Sequence, residues 1–138
     1  MNYYKETEQL LSNVVTFRTA LKNLQERKEN TPNTAMQKIS CEKSSDTAKQ
    51  LSHVLSLSEL EREICHTQNT LNSIEKVLKQ LEFEESKLLS LWYIEKKSKE
   101  IILQELNIES LTTLYKLRNK AVGNFAVLYF GSISISSI

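Results

Sequence analysis

Helix breakers are scarce in this sequence: 138 residues contain two glycines, Gly123 and Gly131, and one proline, Pro32. A β-sandwich or an α/β fold needs a turn roughly every ten residues and draws those turns largely from Gly and Pro. Both architectures are therefore excluded, and so are glycine-rich phosphate loops. Hydrophobic residues at 40% and charged residues at 25% are ordinary for a soluble globular chain. The expected fold class is all-α: long N-terminal helices, as a hairpin or coiled coil, followed by a C-terminal helix-turn-helix.

Residues 1–30 read as a first helix. Leu10, Val14, Phe17, Leu21 and Leu24 alternate steps of four and three, which keeps them on one stripe, and Leu11 and Val15 widen it. Pro32 disfavours helical geometry just before it, so the helix is expected to end near Glu29 and Asn30. Residues 31–45 turn to Thr, Asn, Ser, Lys and Gln and read as a flexible linker.

Residues 46–82 read as a long helix capped by Ser45 or Asp46. Leu57, Leu60, Ile64, Thr67, Leu71, Ile74, Leu78 and Leu81 follow an unbroken three-four alternation, a heptad seam with one polar member. Glu61, Arg62, Glu63, Glu75, Lys76 and Lys79 lie between them as solvated outer faces. Two readings are open. The seam either closes a hairpin against the first helix or joins two chains through Leu57, Leu60, Ile64, Leu71, Ile74, Leu78 and Leu81. Bundled hairpins satisfy both.

Residues 83–131 change character. Glu84 and Glu85 open a helix carrying Leu88, Leu89, Leu91 and Trp92, with acidic residues suited to a positive helix start. A polar break at residues 93–97 follows. Ser98 is then expected to cap a helix over residues 99–106 that buries Ile101, Ile102 and Leu106. Asn107 and Ile108 form a turn, Glu109 or Ser110 caps again, and a last helix starts at Leu111. On it Leu114, Leu117, Ala121, Phe125 and Leu128 share the inner face, and Thr112, Thr113, Tyr115, Lys116, Asn119 and Lys120 share the outer one. The tail, residues 132–138, alternates like a strand and is expected to fray.

Two short helices, a tight turn and a polar, basic outer face fit a helix-turn-helix. A helix entering the major groove needs an outer face free of bulky apolar groups. It also needs side chains near its start that both donate and accept hydrogen bonds. Thr112, Thr113, Tyr115, Lys116 and Asn119 supply that chemistry, and Arg118 and Lys120 are placed for phosphates. Ser98 and Ser110, at two helix N-termini, add phosphate positions. The bland alternative is a solvated face on an ordinary three-helix unit.

Leu88-Leu89-Ser90-Leu91-Trp92-Tyr93-Ile94, then residues 98–108 and 113–121, resemble the DNA-binding region 4 of bacterial sigma factors. The likeness is strongest to the phage-type ArpU and RinA regulators, whose layout Glu6-Thr7-Glu8-Gln9-Leu10-Leu11-Ser12-Asn13, the linker and the long middle helix also resemble. The resemblance implies a late-gene transcriptional regulator that binds double-stranded DNA. This sequence departs from the family pattern where Leu103 stands for a small Ala and Asn107 for the turn Gly, and its turn is one residue longer. Asn tolerates the left-handed conformation that position needs.

Eighteen basic and seventeen acidic residues give a net charge of +1, yet no acidic residue follows Glu109 while Lys116, Arg118 and Lys120 do. Nonspecific DNA affinity grows with the number of phosphates neutralised. A monomer with so few phosphate contacts is expected to bind weakly, which favours a homo-oligomer or RNA polymerase as a partner. Cys41 and Cys65 lack ligand spacing and read as reduced thiols, and His53 and His66 add no metal pattern. No catalytic residues, metal or cofactor are expected: Asp46, His53 and His66 have no rigid loop to bring them together. Residues 1–6 show no apolar signal core, and no apolar run approaches a membrane span, so a cytoplasmic protein without membrane contact is expected. From a different class comes the alternative of a helical protein-interaction module without a nucleic-acid role, such as an assembly chaperone or sigma-factor antagonist.

Overall fold

The computed structural model describes residues 2–30 and 47–137, with side chains described over 2–30 and 57–135. The described residues form α-helices and two short helical segments of other pitch, with no strand among them. The all-α expectation holds. The expected linker over residues 31–45 and the caps Ser45 and Asp46 lie outside the described residues.

The expected single N-terminal helix is two helices: α1 (Tyr3–Ser12) and α2 (Val14–Asn30). They divide at Asn13, whose φ of −99° and ψ of 5° leave the helical region and whose side-chain Nδ2 donates to the Gln9 carbonyl at 2.9 Å. An Asn amide that bonds the backbone locally competes with helix propagation. Asn2 caps the start of α1 by accepting from the Lys5 N–H. The third helix, α3, runs over Thr47–Gln80.

The chain divides into two compact units. One comprises Thr16–Thr70. In it Lys28 Nζ on α2 lies 3.8 Å from Glu61 Oε1 on α3, an exposed pair. Phe17, Leu21 and Leu24 on α2 and Leu57, Leu60 and Ile64 on α3 are all half-buried.

The other unit comprises Met1–Val15 and Leu71–Ile138, and it holds the core. Leu11, Ile74, Leu88, Leu89, Leu114 and Phe125 are fully buried, and Leu71, Val77, Leu91 and Ile102 nearly so. Leu71 and Ile74 are thus enclosed by the chain itself, which removes them from the expected intermolecular seam. Leu78 and Leu81 keep partial exposure, and Val77, outside the heptad seam, is buried instead. Val15, assigned to the first helix's stripe, is half exposed.

Helix α4 (Phe83–Leu89) continues as a π-helical turn over Ser90–Ile94. The wide turn closes with Glu95 N–H donating to Ser90 O at 2.8 Å and Lys97 N–H to Leu91 O at 2.9 Å, past Lys96 at φ 55°. Helices α5 (Lys99–Leu106) and α6 (Leu111–Phe130) follow. Gly131, at φ 89°, ends α6, a conformation open to glycine at little cost. The tail, expected to fray, winds as a 3₁₀ helix over Ser132–Ser137, and Ser134 is buried.

Candidate functional site

The α5–α6 joint is built from local backbone chemistry. Ser98 accepts from the Ile101 N–H at 3.4 Å, capping α5. At its other end Asn107 adopts φ 54° and ψ 43°. Ile108 N–H donates to Leu103 O at 3.0 Å and Asn107 N–H to Gln104 O at 3.3 Å. This pair of bonds is a Schellman closure, with Asn107 at the left-handed position that glycine usually fills. Ser110 then caps α6, accepting from Thr113 N–H at 3.2 Å while its hydroxyl shares a 2.9 Å hydrogen bond with the Thr113 hydroxyl. Four residues, 107–110, thus join two capped helices.

The inner face of α6 buries Leu114, Ala121, Val122, Phe125 and Ala126. Leu117 is half-buried, whereas Leu128, assigned to this face from the sequence, is exposed. On α5, Ile102 is buried and Leu106 half-buried, but Ile101 is exposed against expectation. Ile101 lies next to the residue that carries the inner face, and an eight-residue helix in one contact layer covers only a narrow stripe.

The outward side chains fall into two groups. Thr112 and Lys116 are exposed and make no hydrogen bond or ion pair among the described residues. The rest are engaged. Lys99 Nζ donates to the Tyr115 hydroxyl, from a position 5.0 Å from the ring centroid. That distance puts the ammonium at the hydroxyl tip rather than over the ring face. The Arg118 guanidinium lies 5.0 Å from the Trp92 ring centroid and 5.3 Å from the Tyr115 ring centroid, and the two centroids are 5.9 Å apart in an edge-to-face pair. Stacking of this kind holds a guanidinium in place and keeps its charge.

Arg118 also donates through Nε and Nη2 to Asn119 Oδ1, at 3.2 and 3.0 Å. The Tyr4 hydroxyl of α1 donates to the same oxygen at 2.8 Å. Alongside it, Tyr93 of the π turn donates to Glu8 Oε2 at 2.8 Å. Burial, reinforced by the Glu8 carboxylate, pushes the Tyr93 phenol well above its ordinary pKa, and burial likewise raises Tyr4 and Tyr129. Tyr3 packs on Phe130 with ring centroids 5.0 Å apart. Helix α1 therefore buttresses α6 at its middle, through Asn119, and at its C-terminal end, through Phe130.

Lys120, with its side chain 62% exposed, has an acidic neighbour. Its Nζ lies 3.9 Å from Oε1 of Glu85, a carboxylate almost fully buried on α4 whose other oxygen accepts from Asn124 Nδ2 at 2.9 Å. Sequence reading missed Tyr4, Glu8, Glu85 and Asn124, since each pairs with a residue distant in sequence and no periodicity marks such pairs. Trp92 was legible only as an apolar residue.

The surface around this face is basic: Lys96, Lys97 and Lys99 rim an open depression beside Trp92 and Ser98, with Glu100 its acidic member. Among the described residues no group of His, Cys, Asp and Glu is arranged to hold a metal ion, and no helix is long and apolar enough to cross a membrane. Comparisons with family models, curated proteins and solved structures find no match for this chain.

Proposed function

We propose that this protein is a sequence-specific regulator of transcription, of the phage or prophage late-gene type, that reads double-stranded DNA with the first half of α6. The α5–α6 joint carries the reading. A left-handed Asn107 and two serine caps connect two helices through a four-residue turn, and the second helix turns a basic face outward. Lys116 and Thr112 are the free members of that face, one to neutralise a phosphate or bond a base edge, the other to donate and accept near the helix start. The cations at Lys96, Lys97 and Lys99 extend the charge beyond α6. Leu57, Leu60, Ile64, Leu78 and Leu81, each partly exposed, are the members of the heptad seam left to bind a second copy. RNA polymerase is the other partner this reading admits.

The test is binding of the purified full-length protein to fragments of its own genomic neighbourhood across a salt series. One fragment should be preferred, with affinity falling as salt rises. Lys116→Ala should lower the slope of log affinity against log salt by about one unit. Equal, salt-insensitive binding to all fragments overturns the reading.

A second reading, a protein-interaction module, is favoured by the exposure of Phe83 at 79%, Ile133 at 59% and Ile135 at 63%. Large apolar side chains left this exposed are candidates for protein contact. Phe83→Ser combined with Ile135→Ser leaves DNA binding intact under the first reading and abolishes partner capture under the second.

A further inference from the structure

We infer that Asn119 is a specificity-determining residue that reads hydrogen-bond acceptors only, favouring guanine over adenine, because Tyr4 and Arg118 consume its carbonyl oxygen. The inference rests on the DNA-reading role proposed for α6.

An Asn side chain carries one acceptor oxygen and one NH₂ with two donors. Free to use both, it pairs bidentately with adenine, donating to N7 and accepting from the N6 amino group. Asn119 lacks that freedom. Three donors converge on its Oδ1: Tyr4 Oη at 2.8 Å, Arg118 Nη2 at 3.0 Å and Arg118 Nε at 3.2 Å. A carbonyl oxygen has two lone pairs, so this one has no capacity left. Nor does the amide gain by flipping. An arginine has no acceptor, and a flipped amide would set its NH₂ against two guanidinium N–H groups and lose both bonds. The guanidinium itself packs against both Trp92 and Tyr115.

The side chain is exposed, and Nδ2 is its only unspent polar atom among the described contacts. Guanine offers O6 and N7 as neighbouring acceptors in the major groove. Adenine offers N7 beside an amino donor, which would face the Nδ2 donors without a bond. Tyr4 is a positioning residue here: it lies on α1, 115 residues away in sequence, and touches no base itself. The N-terminal helix thereby helps set what the C-terminal helix recognises.

The experiment is selection from a randomised double-stranded DNA library by the full-length protein and three variants, each checked for unchanged helicity by circular dichroism. Asn119→Ala identifies the position Asn119 reads, as the one whose preference it erases. That position should be guanine for the unmodified protein. Asn119→Asp keeps an inner oxygen for Tyr4 and Arg118 and replaces the outward NH₂ by a second acceptor. It should lose the guanine preference, with affinity for the selected site down about five- to hundredfold. Tyr4→Phe combined with Arg118→Met frees the amide and should admit adenine at that position. If the double variant loses helicity, Asn119→Asp alone decides.

Adenine at the Asn119-dependent position overturns the inference. So does equal weakening of all sequences by Asn119→Asp, which would mean a phosphate contact. So too does a motif that Asn119→Ala leaves unchanged. Failure of the unmodified protein to enrich any motif is a different result: it overturns the DNA-reading role, and this inference with it.

Discussion

The two compact units solve the burial problem differently. In the unit formed by Met1–Val15 and Leu71–Ile138, six or more large side chains, Phe125, Leu114 and Ile74 among them, are sealed from solvent. In Thr16–Thr70 the apolar stripes of α2 and α3 are only half-buried wherever their side chains are described. One heptad seam runs through both. Its later members Leu71 and Ile74 end in a core, and its earlier members Leu57, Leu60 and Ile64 do not. A continuous sequence pattern therefore does not imply a continuous role. What decides is whether the folded chain encloses each stretch, as it does Leu71 and Ile74 and does not Leu57, Leu60 and Ile64.

The largest test of this contrast is to delete comparable apolar groups from each side. Phe125→Ala opens a cavity in a region already closed to water and should cost roughly 3–5 kcal/mol. Ile64→Ala removes a side chain that water already reaches in part and should cost about 1–2 kcal/mol. Chemical denaturation monitored by circular dichroism measures both. Equal losses would erase the distinction and make Thr16–Thr70 as tightly packed as the rest. If Ile64→Ala instead lowers stability in proportion to protein concentration, the half-buried seam is a subunit contact.

Much of the fold was readable in the sequence where local chemistry decides. Ser98 and Ser110 cap the helices expected of them, the range over residues 99–106 matches, and Asn107 takes the left-handed turn. Each outcome depends on a few neighbouring residues. The misses have two origins, a local side-chain bond at Asn13 and contacts between distant residues. Asn13 splits a helix that apolar spacing alone would continue. Ile101 and Leu128 are exposed although their spacing assigned them to the buried faces. The site shows the same division: its residue types and their helix were legible, but the engagement of Lys120 by Glu85 and of Asn119 by Tyr4 was not.

A second test concerns the polar ties that hold α1 against the first unit's core. The Tyr93 phenol is nearly buried and hydrogen-bonded to Glu8, and its pKa stands above the unfolded value near 10. The folded state therefore holds that proton where the unfolded state releases it. The resulting stability is complete below pH 10 and declines as pH rises above it, by at most about 1.4 kcal/mol per pH unit for one group. Tyr93→Phe should cost about 1 kcal/mol at neutral pH through the lost hydrogen bond and should flatten the alkaline decline. Thermal melts between pH 8 and 11 read both. An unchanged alkaline slope would assign the decline to Tyr4 and Tyr129, whose phenols are also raised.

The smallest expected effect sharpens the comparison within α6, where the charge-bearing first half meets the uncharged second half just before Gly123. A glycine inside a helix lowers stability relative to alanine by roughly 0.5–1 kcal/mol, through the backbone freedom it regains on unfolding. Such a glycine is usually kept because a neighbour crowds the position its Cβ would take. Nothing lies within 4 Å of a Cβ built at Gly123, and its φ is not in the left-handed region, so no crowding or backbone demand explains it. Gly123→Ala should therefore raise stability by about 0.5–1 kcal/mol, seen as a higher denaturation midpoint with an unchanged slope. Rigidity gained there should pass to the reading half of the helix without touching it. If Gly123→Ala stabilises the fold yet weakens binding to the preferred DNA fragment, the glycine is a hinge that lets residues 111–120 adjust to the groove while residues 124–130 stay fixed in the core. If both stability and binding improve, α6 acts as one rigid rod anchored by Phe125.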